Sequence, residues 1–441
     1  MEHRASANLH NTCVYYVSWE RTELGFKFNM NKKLSIAVIS GPVGKTPEDL
    51  TYSFVFDEVY RLAKRGIEVH VVRSKIESKS ISYGIHFHGI ERKYDFQAFN
   101  LLARNITCYP PISLIRKPTA LYWENLYALN VAKVVEKNDL NLIHAHFAYP
   151  EGLVGLLAKR KTNKPLLITC HGYDINVVPE IDYGIRLSRK YDALVQRTLK
   201  NADAIICVSN NLKKEILKLG VNAEKVFVVF NAVDLEVFKP PEKHELNDIK
   251  EIKEKLFEVG KDDFLILNAR HLRPVYGIEY LIYATKIVTE RVKNVKFIIL
   301  GEGELKEKLN VMIQSMRLQK HVKLVGKIPR TLMPKLMRTS SLYVNTSLAD
   351  GMSPSMLEAC ASGIPIVSFD VGGANDVIDD GINGFLVPPR DYRMLASKII
   401  YLLQNPDILK KMGMMARRKA EMQFNAENRY NIILSIYKKF V

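Results

Sequence analysis

The sequence is poor in cysteine. Five cysteines, Cys13, Cys108, Cys170, Cys207 and Cys360, are scattered over 441 residues, and no two form a Cys-x-x-Cys pair. That spacing excludes a disulfide framework and a cysteine-based zinc site, and leaves buried reduced thiols as the reading. Long uncharged apolar runs are missing, so no membrane-spanning helix is expected. Residues 1–30 mix Glu, Arg, His and Asn without a continuous apolar core, so no secretory leader is expected; Met30, just before the first strand, is an alternative start. Zinc-finger spacings and RNA-recognition signatures are absent. The net charge of +17 is not concentrated either. Lys and Arg outnumber Asp and Glu by 35 to 27 in residues 1–250 and by 29 to 20 in residues 251–441. An even basic excess gives no support to a nucleic-acid partner and suits anionic small substrates or an anionic membrane surface. The expected setting is the cytoplasm, with contact at the inner face of the cell membrane.

Two stretches alternate short apolar strands with amphipathic helices. The first has strands at residues 34–40, 68–72, 142–146, 166–169, 204–208 and 226–230, with a helix at residues 53–65 stopped by Gly66. The second has strands at residues 264–268, 295–300, 322–325, 342–345 and 366–368. Continuous apolar strands separated by helices indicate parallel sheets covered on both faces. The expected fold class is α/β, with two Rossmann-like doubly wound domains facing across a cleft. Residues 1–32 read as an N-terminal extension and residues 33–238 as the acceptor-side domain. Residues 239–260, charged and opening on Pro240-Pro241, read as a linker. Residues 261–415 form the nucleotide-sugar-binding domain, and the helical residues 416–441 return to the first domain. Such pairs bind ligands where strand C-termini face each other.

Three motifs invite other readings. Gly41-Pro42-Val43-Gly44-Lys45-Thr46 looks like the end of a P-loop, but the required earlier glycine is Ile39. Gly301-Glu302-Gly303 follows a strand, but the third glycine of a dinucleotide fingerprint is Lys306, and two glutamates would face a pyrophosphate. His86-Phe87-His88 and His144-Ala145-His146 each put two imidazoles on one strand face. Without a nearby cysteine or carboxylate ligand, hydrogen-bonded histidines are the expectation, and no metal site is assigned.

The segment from Leu348 to Val367 is the most informative. Asp350 lies in a loop after a strand, Ser353 caps a helix, Pro354 takes its first position, and Gly363 stops it. The helix N-terminus then lies at the strand C-terminal edge, where free N–H groups attract phosphate. Asp350 and Glu358 flank it, and as carboxylates they suit hydroxyl groups rather than phosphate. Here the chain resembles the retaining GT-B glycosyltransferases of family four, which carry Glu-x7-Glu in this context. Gly372-Gly373, Asp379-Asp380-Gly381, Asn383-Gly384-Phe385, His171-Gly172-Tyr173-Asp174, Asn231-Ala232-Val233-Asp234 and Gly301-Glu302-Gly303 extend the match over about residues 33–440.

The resemblance implies transfer of a sugar from a nucleoside-diphosphate sugar to an acceptor hydroxyl, with retention and without metal or other cofactor. It places Glu358 on the ribose hydroxyls, Asp350 on the donor sugar, and the backbone of Gly351, Met352 and Ser353 at the diphosphate. It places His171 near the reacting sugar, with Asp174 orienting it or binding acceptor. Gly44 and Lys45 would close over the donor. Two departures stand out. Asp350 replaces the first Glu, and Tyr276 replaces the Lys of the phosphate clamp, leaving Arg270 and Arg273 to meet the diphosphate charge. Two other readings stay open, a nucleotide-sugar epimerase on the same architecture and a catalytically weak carbohydrate- or membrane-associated protein. Residues 89–137, with Arg104, Arg116, Lys117, Tyr109, Tyr122, Trp123 and Tyr127, suit a lipid-linked acceptor at a membrane face.

Overall fold

A computed structural model describes residues 34–441 apart from residues 42, 47–52, 75–78, 91–93, 113–117, 246–250, 252, 255–258 and 261–262. The extension 1–32 and parts of the 239–260 segment, like Arg116 and Lys117, therefore lie outside the described residues.

The first sheet contains β1 Ser35–Ser40, β2 Glu68–Arg73, β3 Ser80–Ser82, β4 Ile85–His88, β5 Leu142–His146, β6 Leu166–Cys170, β7 Ala204–Cys207 and β8 Val226–Val228. Their order is β3-β4-β2-β1-β5-β6-β7-β8. The second contains β9 Phe264–Ala269, β10 Val295–Leu300, β11 Val322–Gly326, β12 Leu342–Asn345, β13 Ile366–Phe369 and β14 Gly384–Val387, in the order β11-β10-β9-β12-β13-β14. Neighbours are parallel except β3, which runs antiparallel to β4 at the edge. Helices connect the parallel strands and cover both sheet faces, as the apolar runs require. Two doubly wound sheets are thus present. Strand order reverses at β1 in the first and at β9 in the second, and these switch points are where ligands bind.

Period-two alternation divides each strand between two cores. Ile36 and Val38 of β1 pack with the helix Ser53–Lys64, while Ala37 and Ile39 point into the opposite layer. Each fully buried Ile or Val among them contributes about 1.5–3 kcal/mol of hydrophobic stabilisation. The layer that holds Ala37 and Ile39 continues from the first sheet through Leu265 and Leu267 of β9 to the helix Pro354–Ala361. The helical tail is broken at Phe424 and Asn425 into Pro406–Gln423 and Ala426–Tyr437. At the break Val233 donates to the Phe424 carbonyl at 2.9 Å. The last helix then packs Tyr430, Ile433, Ile436 and Tyr437 against the helix Ser53–Lys64. The two domains are joined by this return as well as by residues 239–260.

Three short strands, β3, β4 and β14, are not among the expected strands. Each has three or four residues, too few for a periodic signal, and β4 carries two histidines where an apolar run would be sought.

Candidate active site

The C-terminal half of the site is built by β12, the loop after it and the helix Pro354–Ala361. Ser353 has extended backbone, and its Oγ accepts from Met356 N at 3.4 Å, capping the helix with Pro354 first inside it. Met356, Leu357, Ala359, Cys360 and Ala361 are buried. Glu358 is half-buried and lines the cleft. Burial pushes its carboxyl up to about 7, against the attraction of Arg330 and with the help of repulsion from Asp57.

Asp350 does not stand free. Its carboxylate is ion-paired with the Arg270 guanidinium, whose Nε also donates to Asn345 Oδ1 at 3.1 Å. The guanidinium lies 5.0 Å above the Tyr276 ring. Tyr276 thus supports Arg270 as a stacking partner and brings no charge of its own. Arg273 is exposed at the start of the Pro274–Tyr276 turn. Arg270 and Arg273 therefore differ: one is fixed at the Asp350 loop, the other faces solvent.

His171 follows β6 and lines the cleft from the N-terminal side. Its ring packs 4.7 Å from both Phe54 and Phe147, and its Nε2 lies 3.0 Å from His146 Nδ1. Burial holds its pKa well below the usual imidazole range, with His146 adding to the effect, so the ring is neutral. Gly172 and Gly351 bring the two halves into contact. A Cβ on Gly351 would lie 2.0 Å from the His171 carbonyl oxygen, so this approach requires glycine. Asn176 Nδ2 donates to the Asp350 carbonyl at 3.2 Å, and Asn231 Nδ2 to that of Met352 at 3.0 Å.

Three expected site residues lie elsewhere. Asp174 is fully buried, and its carboxylate accepts from the backbone of Ala148 at 2.8 Å, Gly172 at 3.0 Å and His171 at 3.1 Å. It shapes the His171 loop and reaches neither the imidazole nor the cleft. Lys45 Nζ donates to Ser80 Oγ at 3.0 Å and lies 5.9 Å over the Phe87 ring, and the buried Gly44 precedes it. Both residues belong to the N-terminal domain's own edge here, not to a cover over the cleft. Tyr109, Tyr122 and Tyr127 are core residues. Their hydroxyls meet Asn125 Nδ2, Asp95 N and the Val72 carbonyl at 2.9, 2.8 and 2.9 Å.

Between the halves lies a cavity of about 960 Å³, bordered by His171 and Phe54 on one side and by Lys327, Arg330, Pro354 and Glu358 on the other. Arg330 is ion-paired across it with Asp57, and on its N-terminal side Arg61 is paired with Asp234 at 2.6 Å. The sequence reading missed Asp57 and Arg330. Asp57 sits one position before Glu58, a carboxylate in the apolar stripe Val55, Val59, Leu62, and that anomaly is a usable signal.

Among the described residues, two groups have ligand atoms close enough for a cation: Glu58, His144 and His146, and Glu68, His70 and His86. In the first, Arg429 already holds Glu58 at 2.9 Å, and His144 is bonded through both ring nitrogens, to Thr169 and Tyr437 at 2.7 Å each. In the second, His70 is likewise bonded through both, to Glu68 and His88 at 3.0 Å each. Each group is only partly hydrogen-bonded: Glu58 Oε1 and His146 Nε2 in the first, and His86 Nδ1 in the second, have no hydrogen-bond partner among the described residues.

Two doubly wound domains with a capped helix start, a carboxylate at its second turn and a histidine loop facing it define a GT-B glycosyltransferase. Residues 53–237 match Glycosyltransferase Family 4, and residues 248–419 match Glycosyl transferases group 1. The chain belongs to this family. It is 24% identical to the N-acetyl-alpha-D-glucosaminyl L-malate synthase of Bacillus anthracis, over 86% of this chain and 90% of that one. It is 27% identical to the UDP-Gal:alpha-D-GlcNAc-diphosphoundecaprenol alpha-1,3-galactosyltransferase of Escherichia coli, over 74% of this chain and 80% of that one. An Anabaena protein solved with UDP-glucose shares the fold with a TM-score of 0.71 at 19% identity, over 92% of this chain and all of that one.

Proposed function

We propose that this glycosyltransferase takes its sugar from a nucleoside-diphosphate sugar, of which UDP-sugars are the first to test, and transfers it with retention to an acceptor hydroxyl. The carrying observation is Glu358, half-buried at the cavity wall on a helix whose capped N-terminus opens to the same cleft. A carboxylate there suits the ribose hydroxyls, and the helix start suits the diphosphate. The galactosyltransferase relative and the UDP-glucose complex support a uridine diphosphate donor. Retention is supported by the Asp350-x7-Glu358 spacing. Catalysis would be mainly positioning and electrostatics, without metal: Arg270, once released from Asp350, and the helix N-terminus meet the leaving charge. Calorimetric titration with a panel of nucleotide sugars tests the donor. Wild-type binding lost in Glu358→Ala supports the reading, and equal affinity in both rejects it. Anomeric NMR of the product tests retention, and full activity in a chelator tests metal independence.

The acceptor proposed is a lipid-linked one at a membrane face. Tyr94 and Phe96 are 81% and 77% exposed, and Phe99 and Trp123 continue the patch. Aromatic rings of this kind favour the interface of a bilayer. The relative acting on a diphosphoundecaprenol-linked sugar supports the same reading. Sedimentation with anionic phospholipid vesicles should pull down the wild type and not Tyr94→Ser/Phe96→Ser; a wild type that stays in solution would remove the membrane part.

A further inference from the structure

Behind His171 lies a chain of buried polar groups that donor recognition alone does not require. Glu58 is 2% exposed, His144 and His146 are fully buried, and Arg429 is 7% exposed. Arg429 comes from the last helix and is 371 residues from Glu58 in sequence; its Nη2 donates to Glu58 Oε2 at 2.9 Å. Its Nη1 is satisfied by the carbonyls of Val229 and Phe230 at 2.8 and 2.5 Å. Burial alone would raise the Glu58 carboxyl. The Arg429 guanidinium opposes this by its charge and its hydrogen bond, so the group is a carboxylate. His146 is held neutral by burial.

A carboxylate only accepts, and this determines proton positions along the chain. Glu58 Oε1 faces His146 Nε2 at 3.6 Å, just beyond hydrogen-bond length, and neither atom has a hydrogen-bond partner among the described residues. The proton of neutral His146 therefore belongs on Nε2, pointing at Glu58. Its Nδ1 is then a lone pair. His171 Nε2, 3.0 Å away, must donate to it. His171 is also neutral, so its own Nδ1 carries a lone pair, and no protein group among the described residues bonds to that nitrogen.

We propose that Glu58 and His146 are positioning residues that fix His171 as its Nε2–H tautomer, so that Nδ1 is presented to the cleft as an acceptor for a sugar hydroxyl. The hydroxyl belongs to the donor sugar or to the acceptor at the point of transfer, and this part rests on the function proposed above. The ordering of protons does not. Arg429 keeps Glu58 ionised, so the last helix, in returning to the first domain, completes the arrangement. A cation held by Glu58, His144 and His146 would need a lone pair on His146 Nε2 and would reverse the whole order, leaving the proton of His171 on Nδ1.

The test is a long-range 15N–1H correlation spectrum of 15N-histidine-labelled full chain without donor, with His171 assigned by His171→Gln. A protonated Nε2 and bare Nδ1 on His171 are expected, unchanged by chelator. A protonated Nδ1 overturns the proposal. Glu58→Gln, whose amide can donate as well as accept, is expected to mix the tautomers. It should lower kcat about 10- to 100-fold while donor Kd stays within about twofold, since one hydrogen bond at the reacting centre is lost. If that variant does not fold, two others decide. In His146→Asn the amide oxygen stands where Nδ1 stood and accepts from His171 without help from Glu58. It should keep kcat within about threefold, while His146→Leu falls about 10- to 100-fold. Equal losses in both overturn the proposal. Unaltered nucleotide-sugar affinity in Glu358→Ala would instead remove the transferase reading and leave the spectrum as it is.

Discussion

Arg330, in the loop after β11, is ion-paired with Asp57 on the helix Ser53–Lys64, and the pair spans the cleft beside Glu358. Arg330 attracts the Glu358 carboxylate and Asp57 repels it, so the two act on the Glu358 proton in opposite senses. Asp57→Asn removes the repulsion and frees Arg330 for Glu358. The Glu358 carboxyl should then fall from about 7. Nucleotide-sugar affinity, followed by calorimetry against pH, should keep its ionised-form value to a lower pH than in the wild type. Stability should change by less than about 1 kcal/mol, because the Arg330–Asp57 pair is partly solvent-exposed.

Glu358 also links pH to stability. Its folded value of about 7 lies above the ordinary 4.5, so the folded state binds the proton more tightly than the unfolded chain. Its stabilising contribution is full below 4.5 and is lost as pH rises through about 7. Glu151, pushed up to about 7 by burial, acts in the same direction, so the comparison must be made against a variant. Glu358→Gln should gain on the wild type in Tm as pH rises across that window. A constant gap, or one that closes, would contradict the assignment.

Gly351→Ala should separate folding from turnover. The added methyl group meets the His171 carbonyl oxygen, a backbone atom, at 2.0 Å, so the two loops must part. Misplacement of about 1 Å at a reacting centre costs about 100-fold in rate. Steady-state kinetics should show a kcat loss of that order, with Tm reduced by only a few degrees.

The Glu58–Arg429 pair should behave as a buried ion pair. Arg429→Met leaves the Glu58 carboxylate without its cation and should cost about 3–5 kcal/mol in urea denaturation. Glu58→Leu/Arg429→Met, lacking both charges, should recover a large part of that loss. A double variant no more stable than the single would show that the cost is packing rather than charge.

Local features were legible in the sequence. Ser353, Pro354 and Gly363 state where the helix begins and ends, and that short segment holds Glu358 at the cleft. The long apolar strands were legible through their runs, with ends within one or two residues. What escaped depends on partners distant in sequence. Asp174 reads as a functional carboxylate beside a histidine, but three backbone N–H groups claim it once the loop folds. Lys45 reads as part of a loop closing over the donor, but its Nζ donates to Ser80 Oγ in the N-terminal domain's own edge. Glu58 and Arg429 each occupy a core position of an amphipathic stripe, an oddity in either helix alone. Each is explained only by the other, across 371 residues.

The most direct test of the account is donor binding by Glu358→Ala. Two hydrogen bonds from ribose hydroxyls to a carboxylate are worth about 3 kcal/mol together, or roughly 100-fold in Kd. Calorimetry on the folded variant should show nucleotide-sugar affinity lower by at least about that factor. Affinity equal to the wild type would contradict the placement of the donor against this helix and, with it, the function proposed here.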